Sequence, residues 1–306
     1  PQRTNLITYS EDFSNAYWSK AGATITSNQA ISPKGDMTAS LLSIGANTSR
    51  IRVLISKTLS AAHSVYVKSA PSNSATHIRL TNNNTIAWGT GTSVKVALTD
   101  EWQRIETTDN ISGNAFCIIG SKNVDDTNDA DCIGDVLIWG AQVEEGSYAT
   151  SYIPTSGSTV TRNQDIFTRD GIGSLINSTE GVLFVEIAAL YNDVTYREIS
   201  LNDGTTNNVV EIRYTPTDNQ FQFIIRNGGA AVVVESITLS NALDFNKIAF
   251  SYKSNDYKMY VNGVQVATDT SGAMPSGLNA LSLEWGGNYF YGKVKQLQVY
   301  DTSLSD

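Results

Sequence analysis

Short runs of β-branched and aromatic residues recur along the whole chain, separated by Gly, Asn, Asp and Ser. The clearest are HSVYVKSA (63–70), THIRLTN (76–82), SVKVALT (93–99), DVLIWGAQVE (135–144), GVLFVEIAAL (181–190), VVEIRY (209–214), QFQFIIRN (220–227), AAVVVESITL (230–239) and KIAFSYK (247–253). Runs of this length bounded by turn formers predict β-strands. No window keeps apolar residues at i, i+3, i+4 and i+7 over three turns, so almost nothing reads as helix. Many short strands at this spacing predict an all-β chain of two tandem antiparallel β-sandwich (jelly-roll) domains. The sharpest local signal is KMYVNGVQVAT (258–268). Asn262-Gly263 tolerates positive φ at both turn positions, which predicts a two-residue type I′ hairpin.

The boundary falls after QVEEGSYATSYIPT. SGSTVTRNQ (156–164) has one isolated valine and no strand-length apolar face, and reads as a linker or an extended crossing segment. The domains are therefore 1–155 and 165–306, with no repeat relating them.

Composition adds to this picture. Hydrophobic residues make up 41% of the 306 and charged residues 17%, while turn-forming polar residues are abundant. The net charge of −9 argues against a nucleic-acid partner, which needs a basic stripe. It also disfavours strongly anionic polysaccharides unless a local basic patch or a bound cation helps. No apolar run approaches the roughly 18 residues of a membrane span, so no membrane insertion is expected. The chain begins at Pro1 rather than Met, which reads as a processed product or an excised fragment.

Candidate chemistry is sparse. Cys117 and Cys132 form a disulfide if 114–120 and 132–139 are neighbouring antiparallel strands, and otherwise stand as two buried thiols. Two cysteines make no four-cysteine zinc site. His63 shares strand parity with Val65 and Val67 and reads as packed. His77 shares a face with Arg79 and reads as exposed. Neither accompanies a nucleophile motif. A retaining glycoside hydrolase needs two carboxylates about 5 Å apart; no Glu-x-Asp-x-Glu run is present, and adjacent Glu144 and Glu145 point to opposite faces of a strand. No catalytic residue is assigned.

Sugars are bound by exposed rings flanked by amides and carboxylates. LEWGGNYFYGK (283–293) offers Trp285, Asn288, Tyr289 and Tyr291 around a Gly286-Gly287 turn. If Phe290 packs inward, both tyrosines face outward. Trp88 in TNNNTIAWGTG (81–91) is a second candidate, and Tyr196 with Arg197 in LYNDVTYREISLNDG (190–204) a third. NVDDTNDAD (123–131) supplies Asp125, Asp126, Asp129 and Asp131 as oxygen donors for a structural calcium ion.

NLITYSEDFSNAYWSK (5–20), LTDEWQRIETT (98–108) and IWGAQVEEGSYATSYIPTSGSTVTR (138–162) together resemble the carbohydrate-binding-module-like jelly rolls common in phage tail and appendage proteins. That resemblance implies that Trp18, Trp102 and Trp139 pack in the structure rather than serve as sugar platforms. NKIAFSYKSNDYKMYVNGVQVATDTSG (246–272) and YFYGKVKQLQVYDTSLSD (289–306) resemble a laminin-G or concanavalin-type sandwich. Its closing strand has an acidic pair where this chain has Lys295 and Gln296. The apolar spacing 294, 297, 299 slips by one residue, which predicts a β-bulge. Tyr289, Phe290, Lys293 and Gln296 are also similar to one strand of alginate-type lyases, whose two companion motifs are missing. In tandem, the resemblances imply a non-enzymatic phage appendage or receptor-binding protein. Its expected partners are a polysaccharide or host surface glycan and other virion proteins, at an extracellular or virion surface, with homo-oligomerisation. The alternatives are a ligand-free structural virion component and a jelly-roll polysaccharide lyase or hydrolase.

Overall fold

The computed structural model describes residues 2–83, 90–121, 129–191 and 195–305, with the backbone alone of Trp285. Among them strands dominate, and the helical turns are two 3-10 segments, Ala130–Cys132 and Gly173–Leu175. No helix among the described residues is long and apolar enough to cross a membrane. The chain divides into two compact units at 164/165.

The first unit packs two five-stranded antiparallel sheets. One runs Ser19–Ala21, Arg50–Ser56, Asn114–Gly120, His77–Asn82, Thr92–Ala97. The other runs Ala23–Ala30, Ala39–Ile44, Gly134–Glu145, Leu59–Ser69, Gln103–Ile111. Alternate residues of facing strands fill the space between them: Ile51, Val53 and Ile55; Ala115, Cys117 and Ile119; Ala61, Val65 and Val67. Trp18 and Trp139 are buried. Trp102 is half-buried and its indole N–H donates to the Ile31 carbonyl at 3.0 Å.

Residues 156–164, read as a linker or an extended crossing segment, carry a short strand. Val160–Arg162 pairs with Arg3–Asn5, so the segment returns to the start of its own unit. The stretch before it owes its distinctive sequence to buried polar knots. Asn5 donates to the carbonyls of Ala141 and Ile153 and accepts from the amides of Ile7 and Val143. Glu144 accepts from Gln142 Nε2, Thr150 N and Thr150 Oγ1 at 2.6, 2.6 and 2.7 Å, with Arg3 3.5 Å away. Buried polar groups persist only when partnered in this way, so 138–155 must supply specific residues at specific positions.

Of the two readings of the cysteines, the two buried thiols hold. Asn114–Gly120 and Gly134–Glu145 belong to different sheets, and Cys117 and Cys132 are free and buried. Both thiols are pushed up to about 12 by burial.

The second unit packs a six-stranded sheet on a five-stranded one. The first runs Thr168–Arg169, Ala280–Ser282, Arg197–Asn202, Val209–Tyr214, Gln220–Asn227, Ala230–Thr238. The second runs Val264–Asp269, Tyr257–Val261, Asn246–Lys253, Glu180–Ala189, Gly292–Tyr300. Ile199, Leu201, Val210, Ile212, Phe221 and Phe223 meet Leu183, Val185, Ile187, Ile248 and Phe250 in the core. The Asn262-Gly263 hairpin is present, with φ of 52° and 84°. Its asparagine also accepts from the Lys247 amide and donates to Asn246. The bulge expected in the closing strand is present too. Val294 pairs with Ile187 and Gln296 with Glu186, leaving Lys295 extra, and its ammonium lies 2.6 Å from Glu186.

Candidate ligand-binding face

The core consumes one side of each strand in the six-stranded sheet, which fixes what the other side presents. Ile199 and Leu201 point inward, so Glu198, Ser200 and Asn202 point outward. Across the ladder these pair with Arg213, Glu211 and Val209. Arg213 pairs onward with Gln222, and Gln222 with Ser236. On the other side Ser200 pairs with Ser282, and Ser282 with Thr168.

These side chains form a polar belt across all six strands. Asn202 donates to Ser200 Oγ at 3.1 Å and Ser282 Oγ at 3.2 Å, and Ser282 donates to Thr168 Oγ1 at 3.3 Å. Arg213 donates through Nε to Gln222 at 3.0 Å and through Nη1 to Glu198 at 3.2 Å. Gln222 continues to Ser236 Oγ at 2.9 Å. Glu211 lies 3.3 Å from the same Nη1 and hydrogen-bonds to Glu198.

Two buried carboxyls in contact cannot both ionise cheaply. Burial first, and the Glu211 charge second, raise the Glu198 carboxyl to about 7. Burial raises Glu211 as well. Both shifts favour a proton on the pair, and Arg213 lies 3.2 Å from one carboxyl and 3.3 Å from the other.

The predicted ring cluster meets this belt in part. Glu284–Trp285 and Asn288–Tyr289 form a hairpin around Gly286-Gly287, with φ of 58° and 89°. Asn288 donates to Glu198 Oε1 at 3.0 Å, tying the hairpin to the belt. Phe290 packs into the core, as expected, and Tyr289 and Tyr291 stay half-buried. Tyr196 is 38% exposed and its ring lies 4.4 Å from the Arg213 guanidinium. The Trp285 side chain lies outside the described residues.

Arg197 requires correction. It was expected beside Tyr196 as a ligand-binding residue, but it shares the inward parity of Ile199 and is 2% exposed. Its guanidinium lies 4.7 Å from the Tyr291 ring and donates to the Tyr191 carbonyl. Tyr291, bonded to Thr195, therefore caps a buried arginine.

In the first domain, Trp88, Asp125 and Asp126 lie outside the described residues. Asp129 and Asp131 face protein cations instead of an open metal position. Asp129 pairs with Arg79 and, at 3.0 Å, with Lys95; Asp131 lies 2.6 Å from Lys95 and 3.3 Å from His77. Arg79 foremost holds the Asp129 carboxyl below its ordinary range, and Lys95 does the same for Asp131. Among the described residues no group of three His, Cys, Asp or Glu is arranged to hold a metal. His63 is buried, 3.1 Å from Asn82 Oδ1, and burial lowers it to about 3. It is neutral at physiological pH. His77 is half-exposed through its contact with Asp131 rather than fully so.

Glu198, Glu211, Arg213 and Gln222 were not singled out by sequence. Glu211, Arg213 and Gln222 sit in quoted strands and Glu198 in the quoted stretch 190–204, but only the register brings them together.

Among solved structures, the chain is similar to the N-terminal CBM22-1–CBM22-2 tandem domain from Paenibacillus barcinonensis Xyn10C. That match has 10% identity and a TM-score of 0.34, covering 98% of each chain. Sheep galectin-11 in complex with glycerol is similar at 9% identity and TM-score 0.33, over 45% of this chain and 99% of that one. A prokaryotic beta-1,3-1,4-glucanase (lichenase) derived from a mouse hindgut metagenome follows at 19% identity and TM-score 0.30, over 50% and 72%. No curated protein sequence matches the chain. Residues 187–306, which include most of the belt, match the family model of the concanavalin A-like lectin/glucanases superfamily.

Proposed function

We propose that the outer face of the six-stranded sheet binds a glycan and that the chain is a non-enzymatic recognition protein for cell-surface or extracellular polysaccharide. The observation that carries this reading is the belt. Its middle members, Glu198, Ser200, Asn202, Glu211 and Ser282, are buried and hold in place the accessible Arg213, Gln222, Ser236 and Thr168, a guanidinium, an amide and two hydroxyls able to hydrogen-bond sugar hydroxyls. Tyr196 at its rim supplies an apolar surface for the C–H face of a ring. The superfamily match over 187–306 supports this reading.

The carboxyl pair favours binding over hydrolysis. A retaining pair stands about 5 Å apart with the scissile bond between its members. Glu198 and Glu211 touch each other and are buried, which leaves no room for that geometry.

The resemblance of 5–20, 98–108 and 138–162 to phage appendage jelly rolls supports a place on a phage or phage-like virion surface beside other virion proteins. There, homo-oligomerisation multiplies shallow sites of modest affinity into useful avidity.

The test is native electrophoresis through gels containing a panel of polysaccharides, with calcium and with chelator, each gel then stained for cleared zones. Retardation without clearing is expected, and Tyr196→Ala with Gln222→Ala reduces it. Absence of retardation on every glycan, together with absence of adsorption to cells, overturns the reading. Clearing replaces it with an enzyme.

A further inference from the structure

The first domain holds a cavity of about 310 Å³ lined by Glu11, Asp12, Ser27, Asn28, Thr38 and Ser40. It lies between the loop that follows Ser10 and the paired strands Ala23–Ala30 and Ala39–Ile44. The register of that pair opens here. Thr26 pairs with Leu41 and Ala30 with Ala39, so Ser27, Asn28 and Gln29 stand opposite Ser40 alone. Asn28 takes a φ of 59° within the bulge. Bulges re-aim side chains, and this one brings Ser27 and Asn28 to the cavity beside Ser40.

The carboxylates come from the other wall. Glu11 Oε1 accepts from the Tyr152 hydroxyl at 3.1 Å, and Tyr152 is itself fixed by Ser10 Oγ at 2.7 Å and by the Trp139 ring at 4.7 Å. Asp12 turns Oδ1 to the Ser14 amide and hydroxyl and to the Asn15 amide. Each acid thus commits one oxygen to the fold and keeps the other. Neither forms an ion pair among the described residues. Lys20, which senses the Asp12 charge, gives its ammonium to the carbonyls of Ser14, Asn15 and Trp18 instead.

Ser40 points independently to a ligand. It is 1% exposed and lines the cavity, yet no hydrogen bond engages its hydroxyl among the described residues. A hydroxyl enclosed by protein ordinarily has a partner. Thr38 is different, because its hydroxyl already accepts from the Trp139 indole and donates to Asp36.

Charge and volume select the occupant. Two carboxylates with an open oxygen each favour a cation that also donates hydrogen bonds. A bare calcium ion needs about six to eight oxygens at about 2.3–2.6 Å, and no group of three His, Cys, Asp or Glu among the described residues is arranged to hold a metal. A space of about 310 Å³ instead falls within the small-molecule range of about 300–1,000 Å³.

We propose that this cavity binds one amino-sugar residue of a glycan, with its ammonium between Glu11 and Asp12 and its hydroxyls on Ser27, Asn28 and Ser40. The site rests on the first domain alone and does not require the belt to bind anything.

The experiment is isothermal titration calorimetry of the full chain with a glucosamine trisaccharide, its N-acetylated form and a glucose trisaccharide, each with and without calcium. The glucosamine form is expected to bind, more weakly as salt rises. Glu11→Gln and Asp12→Asn should each weaken that binding about tenfold, the loss of one charge-assisted contact. Both variants keep the acceptor oxygen that the fold uses. Ser40→Ala should weaken it about threefold or more. Tyr196→Ala should leave it unchanged, which separates this site from the belt. The proposal is overturned if the glucosamine form does not bind, or if Glu11→Gln and Asp12→Asn bind it as tightly as the parent. It is overturned equally if the three sugars bind alike in Tyr196→Ala, because the carboxylates would then read no ammonium. Calcium binding that is lost in Glu11→Gln, with no binding of the glucosamine form, makes the cavity a metal site. Loss of glucosamine binding in Tyr196→Ala moves the ligand to the second domain.

Discussion

Replacing Glu198 with Gln tests the raised Glu198 carboxyl of the belt directly. In the parent protein Glu198 holds its proton to about 7 against an ordinary 4.5, because it is buried against Glu211. Between those values the folded domain binds a proton that the unfolded chain releases. The associated stability is fully present below about pH 4.5, is lost as pH rises towards 7, and stays lost above it. A difference of that size corresponds to about 3 kcal/mol at most, and solvent screening brings it to about 2 kcal/mol. Glutamine keeps the shape, accepts from Arg213 and Asn288, and carries no titrating proton at this position. The variant should therefore lack this slope. Differential scanning calorimetry from pH 4.5 to 8 is the assay, following the transition of the second domain. Relative to Glu198→Gln, the parent should lose roughly 6 °C across the window. At pH 8 the variant should be the more stable, and near pH 4.5 the two should nearly coincide. Parallel curves over the whole range would sink the argument, because they would mean that the two carboxyls titrate independently.

Three further outcomes follow from the packing. Asn262→Ala removes a side chain that bonds the Lys247 amide and Asn246 and places Ala at φ 52°; a loss of about 1–2 kcal/mol in urea denaturation is expected. Phe223, fully buried between Phe221 and Phe250, should cost about 3–5 kcal/mol when truncated to Ala, read as an earlier melting of the second domain alone. Neither Cys117 nor Cys132 should react with a thiol reagent in the native protein near neutral pH, since both are buried with thiols raised to about 12. Both should react in denaturant without prior reduction, and a requirement for reductant would restore the disulfide.

Strand positions were legible because their signals are local. Alternation in QFQFIIRN and KIAFSYK needs no partner to be read, and Asn262-Gly263 carries its turn type in two residues. Even the bulge at Lys295 was legible, because a slipped apolar spacing is itself a sequence pattern. Pairing was not legible. Val160–Arg162 is three residues with one valine, too short for periodicity, and it becomes a strand by pairing with Arg3–Asn5 more than 150 positions earlier. The cysteines stayed open between two readings for the same reason. Their two segments are neighbours in sequence but lie in opposite sheets, and strand order in a sandwich is a long-range property that spacing does not encode.

The candidate site follows the same logic one level up. A search for catalytic or binding acids along one strand finds nothing, because the chemistry lies diagonally across two strands. Glu198 and Glu211 are thirteen positions apart, and each has an unremarkable context: one follows an arginine, the other interrupts a run of Val and Ile. The ladder places Ser200 opposite Glu211 and Arg213 opposite Glu198, so two carboxyls and a guanidinium meet without any linear motif. Aromatic residues were more visible than the polar ones because a tyrosine near a glycine turn stands out by composition. Yet Tyr291 covers a buried Arg197 while Tyr196 faces the belt, and strand parity decides between those fates. A single-residue change of register would exchange them and turn the belt into the core face. The hydrophobic alternation that fixes the register of Arg197–Asn202 against Val209–Tyr214 is therefore also what assembles the polar face, and a substitution that weakens Ile199 or Ile212 should disturb ligand binding without touching a ligand contact.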